Sequence, residues 1–431
     1  MTSVRFGTDG IRGVAGEHPI TPDVARRLGF AVVQELGVRE LYVARDTRAH
    51  GEDLALAVCE GAAAAGATPS FKGVWPTPAL ACELAAHPEA AGVMVTASHN
   101  AHPDNGFKVL VRSGQKPRAA QIEHIEQALN RRAIGSEPIE GAARTGSVPK
   151  AWLDALHREG AALGMSWAHK RIAFDFANGA ARPWRSQVMK MVETGWEVLG
   201  ADGGQINQGT GSEALNGLCR AVVEKGCAIG FAIDGDGDRL RVVDERGVVV
   251  AGDAVTWALA RAARAGSVAV TVMSNGALEG HLPGVTVHRT PVGDQHLQEA
   301  MRTQELPLGA EESGHILFAE HAGGDGVFAA FRVLAALTTH AGGASDLFGG
   351  FTPMPRQQFK MPVTARVPLD NLDGLDTERT RWLAALGEGG RVFLRYSGTE
   401  PVLRVLVEGP DGPSVAATSG RVRGYLQSVL G

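Results

Sequence analysis

The stretch IDGDGDRLRV, residues 233–242, carries Asp234, Asp236 and Asp238 within five positions, separated by glycines and followed by Arg239. Carboxylates this close repel one another unless a cation lies among them. Their oxygens are hard ligands of the kind that Mg²⁺ and Ca²⁺ take. Apolar IGFAI before the loop and LRVV after it place the acidic residues at a strand end. A solvated acidic turn would explain D-G-D taken alone. An EF-hand is rejected. Glu245 does fall at the twelfth position from Asp234, but the sixth, which needs glycine, is Arg239, and the flanks read as strands. Three carboxylates beside an arginine favour Mg²⁺ next to a phosphate, because carboxylates and phosphate oxygens commonly share that ion.

Four further stretches carry candidate chemistry. In VMVTASHNAHPDNGFKVL, 93–110, an apolar strand runs into Thr96, Ala97, Ser98, His99 and Asn100. Ser98 is a candidate nucleophile, although the G-x-S-x-G elbow is missing and a turn or helix cap would also use a serine there. Asn105 and Gly106 read as a turn, with Lys108 after it as a base or phosphate ligand. In LRYSGTEPVLRV, 394–405, Ser397, Gly398 and Thr399 form a loop whose hydroxyls and N–H groups suit an anion. Arg395 and Arg404 bracket that loop and could clamp a phosphate. In GAEESGHI, 309–316, Glu311, Ser313 and His315 alternate and would face one side of an extended loop, a set suited to sugar hydroxyls. RFGTDGIRG, 5–13, brings backbone close to a ligand and offers Arg12 to an anion.

The elements that must position these loops alternate. ELYVAR, AGVMVTAS, KRIAFDF, GWEVLGA and AIGFAI read as strands, and amphipathic stretches such as AAQIEHIEQALNRR read as helices. WRSQVMKMVETGW is expected to be helical. This is α/β architecture. After a Gly- and Pro-rich linker at 341–356 the order becomes strand, helix, hairpin, helix, which is α+β. A chain of 431 residues is too long for one ordinary core. Four domains are expected, at 1–155, 156–252, 253–349 and 350–431: three α/β and one α+β, each giving one loop to a central cleft. The net charge of −5 argues against a nucleic-acid surface. No apolar run reaches the eighteen or so residues of a membrane span. With no leader visible and four dispersed cysteines, a cytosolic protein is expected.

In this order, from FGTDGIRG to GTEP, the motifs resemble the α-D-phosphohexomutase superfamily across nearly the whole chain. The resemblance implies four domains round a central cleft and isomerisation of 1- and 6-phosphosugars through a phosphoserine and one Mg²⁺. Ser98 matches the phosphoserine, and Asp234, Asp236 and Asp238, with the phosphorylated Ser98, match the metal ligands. Glu311, Ser313 and His315 match the sugar loop, with His99 a further substrate contact. Arg395, Ser397, Gly398, Thr399 and Arg404 match the phosphate loop. Arg12, Lys108 and Arg239 match positions near the reacting phosphate and the general acid/base.

Within the superfamily, INQGTGSEALNGL, PVGDQHL and LRVLVEG resemble the bacterial phosphoglucosamine mutases. The sugar loop departs from them, reading E-E-S-G-H where E-Q-S-G-H is usual, so Glu312 bears on the C2 substituent. The resemblance implies interconversion of glucosamine 6-phosphate and 1-phosphate by way of a sugar 1,6-bisphosphate. Phosphoglucomutase/phosphomannomutase is the alternative. A non-catalytic sugar-phosphate sensor and a Mg²⁺-dependent phosphatase stand further off. The partner implied is a small phosphosugar, with no nucleic acid and no membrane; a homodimer is left open.

Overall fold

The computed structural model describes residues 3–7, 9–131, 143–144, 146–397 and 401–430. Four sheets follow one another along the chain. The first holds β1 (Ile11–Val14), β2 (Glu40–Arg45), β3 (Thr68–Val74), β4 (Ala90–Val95), β5 (Asp104–Leu110) and β6 (Ala143–Arg144), in the order β1-β5-β4-β2-β3-β6. β2 runs parallel to both β3 and β4. Parallel neighbours require crossovers, and the helices Pro22–Leu36, Gly51–Ala64 and Thr77–Ala86 alternate with these strands along the chain. The first of these helices is defined at both ends. Thr21 Oγ1 accepts from the Val24 N–H, Pro22 opens the first turn, and Gly37 closes it at φ 60. All six residues of β4 are buried, which is why its sequence is one unbroken apolar run.

The second sheet holds β7 (Arg171–Asp175), β8 (Gly195–Leu199), β9 (Ile229–Ile233), β10 (Leu240–Asp244) and β11 (Val249–Val250), in the order β11-β10-β9-β7-β8. IDGDGDR is the connection between the antiparallel neighbours β9 and β10. The third holds β12 (Ser267–Thr271), β13 (Thr286–Thr290), β14 (Leu308–Ala310) and β15 (Ile316–Phe318), and E-E-S-G-H joins its last two strands. The fourth is antiparallel, β16 (Arg356–Pro362), β18 (Val402–Glu408) and β17 (Arg391–Tyr396) in spatial order, accompanied by helices Leu375–Leu386 and Gly412–Leu430. Three α/β units and a final α+β unit are therefore present.

The cores divide unevenly. One apolar cluster runs through the first three units, with Trp75, Trp152, Phe174, Phe231, Trp257 and Phe331 among its buried members. The fourth unit has its own cluster around Trp382, Leu403 and Leu426.

Three local expectations fail. Asn105 and Gly106 are not a turn but part of β5, paired with β1. Glycine is required there because a Cβ at 106 would collide with the carbonyl oxygens of Ile11 and Thr96. WRSQVMKMVETGW is helical only over Arg185–Met189, because the chain must leave the helix to begin β8 beside β7. The 341–356 stretch is not a bare linker: Ala344–Gly349 is a helix, and Phe348 and Phe351 are buried in the large core.

The joint between the third and fourth units is polar. Glu408, fully buried, accepts from Gly276 N (2.8 Å) and from Arg391 Nε (2.9 Å), and Arg391 also donates to Ser274 O (2.7 Å). Glu312 pairs with Arg356 across the same joint. Nearby, Asp253 Oδ2 accepts from Asn275 N at 2.9 Å, while its Oδ1 is buried without a hydrogen bond. Burial pushes this carboxyl up from 3.8 to about 6, with the Asn275 N–H opposing and Glu312 reinforcing the shift. A carboxyl raised on folding contributes stability that is complete below the unfolded pKa and lost as pH rises through the folded one. Asp253→Asn keeps an acceptor and removes this loss. The variant should gain on wild type between about pH 4 and pH 7, by on the order of 2–3 kcal/mol, in urea unfolding at the two pH values. An equal difference at both would refute the buried ionisation.

Candidate active site

Ser98 lies just past β4 in a left-handed conformation, φ 53, unusual for a residue with a Cβ and costing on the order of 1–3 kcal/mol. Its N–H donates to Thr96 Oγ1 (2.9 Å), and Thr96 Oγ1 donates to Asp46 Oδ2 (2.7 Å). The side chain is buried. Ser98 Oγ donates to Asp234 Oδ2 at 2.5 Å and lies 3.2 Å from His99 Nδ1. The serine of the first unit thus sits on the acidic loop of the second. Burial, with Arg239 and Arg12 nearby, lowers His99 to about 4, so its ring is neutral at physiological pH.

The acidic loop turns tightly. Gly237, at φ 80, donates its N–H to Asp234 O (3.1 Å). Asp234, Asp236 and Asp238 are all buried, and each presents an oxygen within 4.8 Å of the others. Thr77 Oγ1 donates to Asp236 Oδ2 (2.6 Å), and Lys108 Nζ donates to Asp236 Oδ2 (2.7 Å) and Asp238 Oδ2 (2.6 Å). Asp236 Oδ1 and Asp238 Oδ1 remain buried without a hydrogen bond. Buried carboxylate oxygens left over after a lysine has been accommodated are what a hard divalent cation uses, so the donor set fits Mg²⁺.

The charges are mutually dependent. Burial, with Asp238 and Asp236 alongside, pushes Asp234 well above the usual carboxylate range. Burial alone would lower Lys108, but Asp236, Asp238 and Asp9 hold it well above its ordinary value and therefore charged. Arg239 lies 4.0 Å from Asp238, and its backbone N–H donates to Asp234 Oδ1 (3.2 Å). Arg12 reaches Asn100 Oδ1 (3.0 Å) and pairs with Asp9.

A cavity of about 480 Å³ opens beside this centre, lined by Arg239, Glu311, Glu312, Ser313, Arg395 and Arg404, among others. It joins the second, third and fourth units. Glu311 and Ser313 bond to each other (3.2 Å) in the turn between β14 and β15. His315 parts from them. The turn closes through Glu311 N to His315 O, and the imidazole is buried between Asp238 (Nδ1, 3.7 Å) and Asp294 (Nε2, 3.3 Å). The expected single face for Glu311, Ser313 and His315 is therefore absent. Despite burial, those two carboxylates raise His315 to about 10.

Arg395 and Arg404 stand directly opposite each other on β17 and β18. Like charges in that register are destabilising unless an anion lies between them. Arg404 also reaches the buried Ser397 Oγ (3.4 Å). Gly398 and Thr399 fall outside the described residues.

Sequence reasoning missed Asp9, Lys116 and Asp294. Lys116 Nζ donates to Asp294 Oδ1 (2.6 Å) and pairs with Asp9, while Asp9 lies 3.3 Å from Lys108. The network ties the first unit to the third beneath the acidic loop. Asp9 and Asp294 do lie inside segments already notable, RFGTDGIRG and PVGDQHL; Lys116 has no such signal.

Comparison with known proteins bears on the family and the fold. Models of the phosphoglucomutase/phosphomannomutase alpha/beta/alpha domains I, II and III match residues 3–134, 151–247 and 251–353, and the C-terminal domain model matches 359–424. A phosphoglucosamine mutase of Alkalilimnicola ehrlichii is 38% identical, covering 99% of this chain and 98% of its own. One from Hyphomonas neptunium is 36% identical over 95% of each. Among solved structures, a putative phosphomannomutase from Thermus thermophilus superposes with a TM-score of 0.80 at 23% identity, covering 99% of both chains. An Aspergillus fumigatus N-acetylphosphoglucosamine mutase, in complex with GlcNAc-6P and magnesium, does so at 0.67 and 17% identity, covering 100% of this chain and 96% of its own. With all four domain models matched in order and full-length relatives above 30% identity, the chain belongs to the phosphoglucomutase/phosphomannomutase family.

Proposed function

We propose that the protein is a phosphoglucosamine mutase, interconverting glucosamine 6-phosphate and glucosamine 1-phosphate through phosphorylated Ser98 and a sugar 1,6-bisphosphate. The observation that carries this reading is Ser98 Oγ on Asp234 at 2.5 Å, with the arginine-lined cavity of three units beside it. Full-length relatives named phosphoglucosamine mutase support the choice of sugar.

Phosphoryl transfer depends mainly on positioning and on stabilising negative charge. Ser98 carries the phosphoryl group and returns it to whichever hydroxyl of the sugar is free. Asp234, Asp236 and Asp238, together with phosphorylated Ser98, would hold one Mg²⁺, which would supply positive charge to the crowded phosphoryl oxygens. Arg12, Lys108 and Arg239 add fixed cations around the same oxygens. Lys108, held charged by Asp236, Asp238 and Asp9, brings its positive charge to the acidic loop on which the Ser98 hydroxyl sits. His99 is a neutral neighbour of the reacting serine and substrate.

Glu311 and Ser313 accept and donate to sugar hydroxyls, while His315 fixes the acidic loop from behind. Arg395, Ser397, Gly398, Thr399 and Arg404 hold the phosphate that is not reacting. The 1,6-bisphosphate must turn over between the two half-reactions, so the cavity has to accept both orientations. A cytoplasmic setting suits the four cysteines, all free thiols.

A coupled assay comparing glucosamine, glucose and mannose 6-phosphates, with free phosphate measured in parallel, tests this reading. Glucosamine 6-phosphate should give the highest kcat/KM and no stoichiometric phosphate release. Preference for glucose or mannose 6-phosphate would move the protein to the phosphoglucomutase/phosphomannomutase reading, and steady phosphate release would make it a phosphatase.

The arginine pair carries its own expectation. Arg404→Ala should raise KM about tenfold or more, and Ser397→Ala by less, because a charge-assisted contact to phosphate exceeds a neutral hydrogen bond of roughly 1 kcal/mol. Unchanged KM in both variants would remove the phosphate role.

A further inference from the structure

Two carbonyl oxygens of the Ser98 turn, those of Ser98 and Asn100, are each held twice. Arg48 is fully buried and every one of its polar nitrogens is engaged. Its Nε donates to Asp46 Oδ2 (3.0 Å), one terminal nitrogen donates to Ala101 O (2.6 Å) and Asp104 O (2.8 Å), and the other to Ser98 O (3.1 Å) and Asn100 O (2.9 Å). The second hold comes from the next unit. Asn207 Nδ2 donates to Ser98 O (2.7 Å) and Asn100 O (2.9 Å). Both partners are carbonyls, so the amide must present its NH₂ to them, and an aspartate would set oxygen against oxygen.

The surroundings leave the turn no slack. Asn207 is itself left-handed, φ 59, a conformation asparagine tolerates, and its N–H is tied to Ala177 O (2.9 Å). A Cβ at Gly235, the first glycine of the acidic loop, would lie 2.6 Å from Ser98 O. Arg48 fixes the turn within its own unit. Asn207 fixes it relative to the unit that carries Asp234, and it comes from INQGTGS, a segment to which the proposed chemistry gives no part.

We propose that Asn207 is a positioning residue for phosphoryl transfer: reaching across the unit boundary, it holds the Ser98 turn in the left-handed conformation that keeps the Ser98 hydroxyl on the acidic loop. The proposal rests on Ser98 being the phosphoryl carrier. It predicts a loss in the rate at which Ser98 takes up a phosphoryl group, with little change in sugar binding, because Asn207 reaches only backbone.

The test uses the full chain with Mg²⁺ and labelled glucose 1,6-bisphosphate. Asn207→Gly removes the amide while permitting the backbone angle, and Asn207→Asp keeps the shape while removing the donor. Both variants should transfer label to Ser98 between about 10 and 100 times more slowly than wild type in single-turnover mixing, as expected for a misplacement near 1 Å. Final incorporation should still reach the wild-type stoichiometry, and KM for the hexose 6-phosphate should stay within about twofold, a separation of kcat from KM that marks a transition-state effect. Transfer rates equal to wild type in both variants would overturn the proposal. So would a slower turnover matched by an equal loss of final incorporation, since that is lost fold and not misplacement. No incorporation into wild type would remove the carrier reading itself, and the proposal with it.

Discussion

Ser98→Ala is expected to lose mutase turnover by roughly a thousandfold or more while the protein stays folded. The serine sits in a turn, not in an apolar core, and its one strong side-chain bond is to Asp234 Oδ2. Removing that bond leaves a buried carboxylate oxygen without its donor and should cost about 1–3 kcal/mol, which a chain of this size can absorb and stay folded. Alanine occupies the left-handed angle no better and no worse than serine. Intact-mass measurement should find one phosphoryl group on a fraction of wild-type molecules and none on the variant. Full activity in Ser98→Ala would sink the phosphoserine mechanism outright.

The second large effect belongs to the acidic loop. Asp236→Asn should lower kcat by about a hundredfold and KM should move little, because the lost charge acts chiefly when phosphoryl oxygens crowd the loop in the transition state. Mg²⁺ titration of activity should shift to higher concentration. Asp236 also accepts from Lys108 Nζ and Thr77 Oγ1, contacts an asparagine oxygen can keep, so the substitution mainly removes charge. If wild type and variant both turn over normally in excess chelator, the carboxylates are a structural turn and the ion has no role.

What the sequence disclosed and what it concealed divide along physical lines. Asp234, Asp236 and Asp238 announce themselves because like charges crowded into so short a stretch demand a reason. Arg395 and Arg404 stand out because they bracket a small polar loop between apolar runs. The alternation of strands and helices disclosed three α/β units and a different fourth.

Contacts made across the chain were hidden. Arg48 meets the Asn100 carbonyl from 52 positions away, Lys116 meets Asp294 from 178, and Asn207 meets Ser98 from 109. His315 shows the same limit: alternation on an extended chain predicts a shared face, but the tight Glu311–His315 turn sends its ring inward. Asn105-Gly106 misled for another reason. Its composition is that of a turn, and only the carbonyls packed against Gly106 reveal a strand that cannot carry a side chain there.

The double hold on the Ser98 turn bears on how the chain is made. Synthesis delivers the N-terminal unit first, at about 5–20 residues per second, and domains tend to fold as they emerge. Until residue 207 has left the ribosome and the second unit has docked, Ser98 has neither the amide that steadies its carbonyl nor the carboxylate that receives its hydroxyl. A nascent or truncated first unit therefore presents the serine with Arg48 on its turn but without the acidic loop and without the second hold on its carbonyl. On the proposed mechanism, phosphoryl transfer through Ser98 would await the docking of the second unit.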